Sequence, residues 1–118
     1  MRKGMVHLKA KEKEIIGQIR QYLSLKGIFH WRQNAGAAIS DNGTRKRFVR
    51  FGIPGISDII GILPGGRFLA IEVKGPGGRL TKAQEDFLQR VNKAGGLAFC
   101  ASSLDEVIEK LKEGGEKR

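Results

Sequence analysis

Hydrophobic positions along the chain switch between a helical and an alternating period. From about Lys11, the residues Ile15, Ile16, Ile19, Tyr22, Leu23 and Leu25 recur at helical spacing, and Lys26-Gly27 ends the run. Ile28 to Asn34 reads as a strand. Ser40-Asp41-Asn42-Gly43-Thr44 offers a hairpin turn, because Asn-Gly accepts the positive φ such turns need, and Arg45 to Phe51 is the return strand. Gly52-Ile53-Pro54-Gly55 breaks the chain before an apolar strand from Ser57 to Leu63, which stops at Pro64-Gly65-Gly66. In the next strand, Phe68 to Lys74, the residues Leu69, Ile71 and Val73 share one face and Ala70, Glu72 and Lys74 the other. After the Gly75-Pro76-Gly77-Gly78 loop, Thr81 can cap a second helix whose buried stripe is Ala83, Phe87, Leu88 and Val91, with Gly95-Gly96 as its stop. Leu97 to Ala101 is a short buried strand. Ser103-Leu104-Asp105-Glu106 is a capping box that opens a third helix, burying Leu104, Val107, Ile108 and Leu111. The order α-β-β-β-β-α-β-α predicts an α/β fold, a small mixed β-sheet flanked by helices. The Phe68 strand, the second helix and the Leu97 strand form its parallel crossover.

A chain of 118 residues makes one domain over residues 1–118, with residues 1–9 and 114–118 expected to be loose ends. Its 40% apolar and 29% charged content is globular. The net charge of +10 is unevenly placed: residues 1–50 hold twelve Lys and Arg against three acids, residues 51–118 ten against nine. A basic front half points to an anionic polymer, most simply nucleic acid. The single Cys100 excludes an intramolecular disulfide and a Cys-based zinc site, and its setting suits a small buried apolar role. His7 and His30 alone make a His-rich zinc site implausible. No secretory signal or membrane-length apolar run is present, so a soluble protein of the cytoplasm is expected.

The informative feature is an acid on one strand and acid-x-Lys on the next. Apolar strands rarely carry charges such as Asp58, Glu72 and Lys74 unless these are paired, bind a metal or do chemistry. Two carboxylates converging in a poorly solvated cleft repel, and a divalent cation removes that repulsion; oxygen ligands suit Mg²⁺ or Mn²⁺. Such a metal polarises a phosphate and acidifies water, while Lys74 orients that water or offsets phosphate charge. Parity makes this a sharp expectation. Asp58 and Glu72 meet on one face only if Pro64-Gly65-Gly66 is a three-residue loop or the strand is bulged. A two-residue turn sends them to opposite faces.

Gly52-Ile53-Pro54-Gly55-Ile56-Ser57-Asp58-Ile59-Ile60-Gly61, then Ile71-Glu72-Val73-Lys74, then Gly77-Gly78-Arg79-Leu80-Thr81-Lys82-Ala83-Gln84 resemble the VRR-NUC nucleases, a branch of the PD-(D/E)xK superfamily. The likeness runs from the first helix to about Val107, and the small size is similar to stand-alone members of phages and prophages. The resemblance implies that Asp58 and Glu72 bind the metal with the Val73 backbone carbonyl, and that Lys74 is the catalytic lysine. It implies an acid on the first helix, which Glu14 matches first and Glu12 second, and a role at the site for Gln84. The family often has Gln two positions after the helix acid; here that position is Ile16.

The resulting expectation is a Mg²⁺/Mn²⁺-dependent DNA endonuclease, with catalytic residues Glu14, Asp58, Glu72, Lys74 and Gln84. Stand-alone relatives are implied to act as homodimers on branched DNA such as Holliday junctions; Phe29, Phe48 and Phe51 are the interface candidates. Arg32, Arg45, Lys46, Arg47, Arg50, Arg79 and Lys82 are the candidate DNA contacts. Trp31 suits the core better than a base-stacking platform. Two other readings compete: a DNA-binding module with a vestigial site, and a restriction-type enzyme of the same superfamily.

Overall fold

The computed structural model describes the backbone of residues 2–33, 37–41, 46–50 and 52–115, and the side chains of residues 11–33 and 52–114. Its elements are α1 (Arg2–Leu25), β1 (Phe29–Arg32), β2 (Ala37–Asp41), β3 (Lys46–Arg50), β4 (Ile59–Leu63), β5 (Arg67–Val73), α2 (Lys82–Lys93), β6 (Leu97–Ala101) and α3 (Leu104–Gly115). β1, β4, β5 and β6 lie side by side in that order. The β1–β4 and β4–β5 pairs are antiparallel and β5–β6 is parallel, with α2 as the crossover. This is the mixed sheet that the pattern predicts, but the order is α-β-β-β-β-β-α-β-α: Ala37–Asp41 forms a strand whose last residues, Ser40 and Asp41, fall where the pattern places a turn.

Alternation along the strands sorts the core into two layers. On one face, Ile59, Leu69 and Ile71 pack against Ile15, Ile19 and Leu23 of α1 and Val107 of α3. On the other, Ile60, Ala70 and Ala98 pack against Phe87 and Leu88 of α2. Trp31 joins this second cluster half-buried, as expected of a core residue. Among the described residues no helix is long and apolar enough to cross a membrane.

Three further sequence expectations change. α1 begins at Arg2 instead of near Lys11, since the Arg, Met, Lys, Leu and Ala of this stretch favour helix and outweigh Gly4, Val6 and His7. Leu25, counted with the residues at helical spacing, is 81% exposed, because two residues after the buried Leu23 it falls on the opposite face of the helix. The basic strand β3 lies outside the main sheet: Ala37–Asp41 supplies a partner next door, so β2 and β3 form their own two-stranded sheet, with Asp41 opposite Lys46. The side chains of Arg45, Lys46, Arg47, Phe48, Arg50 and Phe51 lie outside the described residues.

All three prolines of the chain sit in Pro-Gly turns. Gly55, Gly65 and Gly77 each follow Pro with φ of 75°, 91° and 78°. The turns close with Ile56 N to Ile53 O (3.2 Å), Gly66 N to Leu63 O (2.9 Å) and Gly78 N to Gly75 O (3.0 Å). Pro at the second position and positive φ at the third are the marks of a type II turn. The middle one sets the register of the sheet. Leu63 pairs with Arg67 and Ile59 with Ile71, so Pro64-Gly65-Gly66 is the three-residue loop that parity requires.

Arg67 at the start of β5 ties the helix ends together. Its guanidinium donates to the carbonyls of Gly95 (3.0 Å), Gly96 (3.3 Å) and Gly114 (2.8 Å), the last at the C-terminus of α3. A cation there also meets the negative end of the helix dipole. Arg67→Ala is expected to lower stability by about 2 kcal/mol, the scale of a charged hydrogen bond at a half-buried site. Arg67→Lys should recover only part. Urea unfolding midpoints measure both, and an unchanged midpoint for Arg67→Ala would remove the clamp from the account.

Candidate active site

Where β4 and β5 leave the three-residue loop in even register, the pairing continues one step past β4. Asp58 then stands opposite Glu72, and Glu72 is in turn beside Cys100 of β6. On the outer side, Gln33 N donates to Asp58 O at 2.7 Å and extends the β1–β4 register. Gln33, Asp58, Glu72 and Cys100 therefore form a row across the sheet, on the face that carries α2.

Glu72 is 3% exposed, which is costly for a carboxylate without partners. Its Oε2 accepts from Gln84 Nε2 at 3.1 Å and lies 3.7 Å from Lys74 Nζ. Its Oε1 is buried and has no hydrogen-bond partner. Burial, and next the Asp58 carboxylate beside it, push the Glu72 pKa from 4.5 to about 8, against the lowering pull of Lys74. Asp58 is held by Val73 N–H, which donates to its Oδ2 at 2.7 Å. The Cys100 thiol is half-buried, and its pKa is raised by burial and by Glu72, so it stays protonated at neutral pH.

Gln84 reaches the site because α2 starts beneath it. Thr81 Oγ1 accepts from Gln84 N at 3.1 Å, and Thr81 N donates to Gln84 Oε1 at 2.9 Å, a complete capping box. With Oε1 used by the cap, the amide nitrogen is turned onto Glu72. Gly55 brings the preceding turn against the same helix start: a Cβ there would collide with Ala83 O and come within 2.6 Å of Gln84 N. The third helix shows a variant of the box, with Ser103 Oγ accepting from Glu106 N (3.2 Å) and Glu106 Oε1 accepting from Ser102 N (2.7 Å).

The two first-helix acids separate. Glu14 is exposed and pairs with Lys11 at 3.7 Å. Glu12 Oε2 instead accepts from Gly75 N at 3.1 Å, directly after Lys74, and is near enough to Glu72 to raise its pKa further. The structure thus brings Glu12 to the cluster and leaves Glu14 outside it. Helical spacing carried the signal: Glu12 lies three, four and seven residues before the buried Ile15, Ile16 and Ile19.

A cleft of about 330 Å³ opens over this row, lined by Arg32, Gln33, Asp58, Glu72, Thr81 and Gln84. A larger groove of about 790 Å³, bordered by Ile53, Phe68, Phe87 and Val91, has one acid, Asp86, and no converging carboxylates. Chemistry therefore favours the smaller cleft. Of the expected DNA contacts with described side chains, Arg32 lines it. Arg79 is exposed in the loop before α2, and Lys82, also exposed, pairs with Asp86 at 3.5 Å. Gln33 was not among the expected site residues, although its alternation with Phe29 and Trp31 puts it on their face.

Among the described residues, no three His, Cys, Asp or Glu side chains form a ready metal cluster. The orphaned Glu72 Oε1 beside the Asp58 carboxylate nonetheless fits a hard divalent cation, which takes oxygen ligands.

A four-stranded mixed sheet with helices on both faces is consistent with a nuclease domain of the PD-(D/E)xK type. A VRR-NUC domain model matches residues 10–104, and the chain belongs to that family. No curated protein matches the chain.

Proposed function

We propose that this protein is a Mg²⁺- or Mn²⁺-dependent endodeoxyribonuclease that cuts branched DNA, such as Holliday junctions, as a homodimer. The observation that carries the reading is Glu72: a nearly buried carboxylate, bare at Oε1, beside a second carboxylate. Asp58, Glu72 and the Val73 carbonyl would hold the cation, which supplies Lewis acidity toward the phosphate and toward water. Gln84 and Lys74 both approach Glu72 Oε2, which orients the carboxylate with Oε1 left for coordination. Lys74 provides a cation for an attacking water or for charge on the phosphate oxygens. Glu12, through Gly75 N–H, steadies the main chain that carries Lys74.

Arg32, Arg79 and Lys82, with the basic segment Arg45, Lys46, Arg47 and Arg50, are the proposed phosphate contacts. If five or six of them each neutralise a phosphate, log K against log salt should fall with a slope of about −5. Two symmetric cuts in a junction need two sites, and one chain carries one, which supports a two-fold dimer. Phe29, 68% exposed, suits that interface, with Phe48 and Phe51 as the further candidates.

Cleavage of labelled four-way junction, flap and linear DNA with Mg²⁺, Mn²⁺ or EDTA tests the reading, using wild type and Lys74→Ala. Metal-dependent cutting of the junction that Lys74→Ala abolishes is the expected result. Binding without cleavage would leave a DNA-binding module, and equal cutting of linear DNA would remove branch selectivity. Glu12→Ala is expected to lower the rate about tenfold, as loss of a supporting hydrogen bond does. Glu14→Gln should stay within about twofold, because its side chain faces water. The opposite ranking would return the helix acid to Glu14.

A further inference from the structure

We propose that Gln33 contacts the substrate, its side-chain amide donating a hydrogen bond to a non-bridging oxygen of the phosphodiester held beside Asp58 and Glu72. This rests on the nuclease reading above and names a residue that reading does not include.

The amide orientation is settled by chemistry. Trp31 Nε1 can only donate, so the Gln33 atom it meets at 3.0 Å must be the acceptor Oε1. Both hydrogens on Nε2 then remain. No acceptor meets them among the described residues, and Nε2 is not among the buried unpartnered atoms. Among the described residues the donor is open to the cleft that Gln33 lines together with Asp58 and Glu72.

The residue is also held on both sides. Its main-chain N–H is bonded to Asp58 O at 2.7 Å. Trp31 packs in the core and against Phe29, with ring centroids 5.5 Å apart. The amide is thus fixed before any ligand arrives, which lowers the entropy lost on binding. Among the described residues, Gln33 uses its oxygen for structure and leaves its nitrogen to the cleft.

Neutrality matters at this place in the row. Lys74 already pairs with Glu72 and Arg32 already lines the cleft, so a further cation beside Asp58 would compete with a divalent metal. An amide donates to a phosphate oxygen without neutralising the acids. Trp31 is the positioning residue in this arrangement, acting only through Gln33.

The test compares Gln33→Ala, Gln33→Glu, Trp31→Phe and the double variant Trp31→Phe/Gln33→Ala with wild type. Readouts are kcat and KM on a labelled four-way junction with Mg²⁺, junction affinity in EDTA, and melting temperature. Gln33→Glu keeps the shape and the Trp31 bond but turns an anionic oxygen toward the phosphate. It should lose roughly 100-fold in kcat/KM, against roughly tenfold for Gln33→Ala, with weaker junction binding in EDTA and unchanged melting. Trp31→Phe should lose roughly threefold to tenfold by itself and nothing further in the Gln33→Ala background. A Gln33→Glu enzyme within twofold of wild type, or the same Trp31→Phe loss with and without Gln33, overturns the proposal while the nuclease reading stands. A wild type that cuts no DNA with any metal removes both.

Discussion

Replacing Glu72 by glutamine is expected to abolish cleavage and, in the same protein, to raise the melting temperature at pH 8 without metal. The two effects have one origin. Burial beside Asp58 disfavours the charged form of Glu72, so its folded-state pKa is about 8 against 4.5 in a solvated chain. Between those values the folded protein binds a proton that the unfolded chain has released. Stability from this group is therefore full below about pH 4.5 and is lost as pH rises through 8. Glutamine cannot ionise, and it can still accept from Gln84 Nε2 through its own oxygen. The variant should melt several degrees above wild type at pH 8 and close to it at pH 4.5. Mg²⁺ should stabilise wild type at pH 8 and leave the variant unmoved. Loss of a supporting residue around a metal already costs about 10–100-fold, so loss of a proposed ligand should exceed about 100-fold. Thermal melts at the two pH values and cleavage of junction DNA measure the pair. Identical melting at pH 8, or cleavage within tenfold of wild type, would separate Glu72 from the site.

Gly55→Ala should cause the largest loss of stability. Two costs add at this position. The φ of 75° is left-handed, which costs a residue with a Cβ roughly 1–2 kcal/mol. The added carbon would also meet Ala83 O and sit 2.6 Å from Gln84 N, a backbone collision that overpacking data put at about 1–3 kcal/mol. Together these give about 2–5 kcal/mol, a fall in melting temperature on the order of 10 °C for a chain of this size. Activity should drop further than the folded fraction does, because the helix start that must move carries Gln84. Gly52→Ala is the matched control: its φ of 80° is equally strained, but a Cβ there meets nothing within 4 Å. Equal losses for the two would show that strain alone matters and that the contact with α2 does not.

Much of the site is legible in the chain itself. Glu72 and Lys74 share a face by strand alternation, and a three-residue Pro64-Gly65-Gly66 loop brings Asp58 opposite Glu72. Both depend on a few neighbouring residues. Thr81 and Gln84 form a capping box by their spacing alone, and the three glycine-rich blocks carry the family resemblance. The choice between Glu12 and Glu14 was open to the same arithmetic, because Glu12 shares the phase of Ile15, Ile16 and Ile19. The departure at Ile16, two positions after Glu14, already put the register of Glu14 in doubt.

Other features depend on distant segments meeting. That β1 lies beside β4, which puts Gln33 next to Asp58, is settled by pairing across more than twenty residues. That β3 leaves the sheet for β2 follows from competition between a near partner and a far one. The contact of Gly55 with α2, and the bareness of Glu72 Oε1, exist only once three elements pack around one point. Periodicity and turn chemistry act within a few residues, so the chain alone determined the elements, their faces and the acid pair. Burial, and with it the raised pKa of Glu72, is a property of non-local packing, and only the folded molecule could decide it.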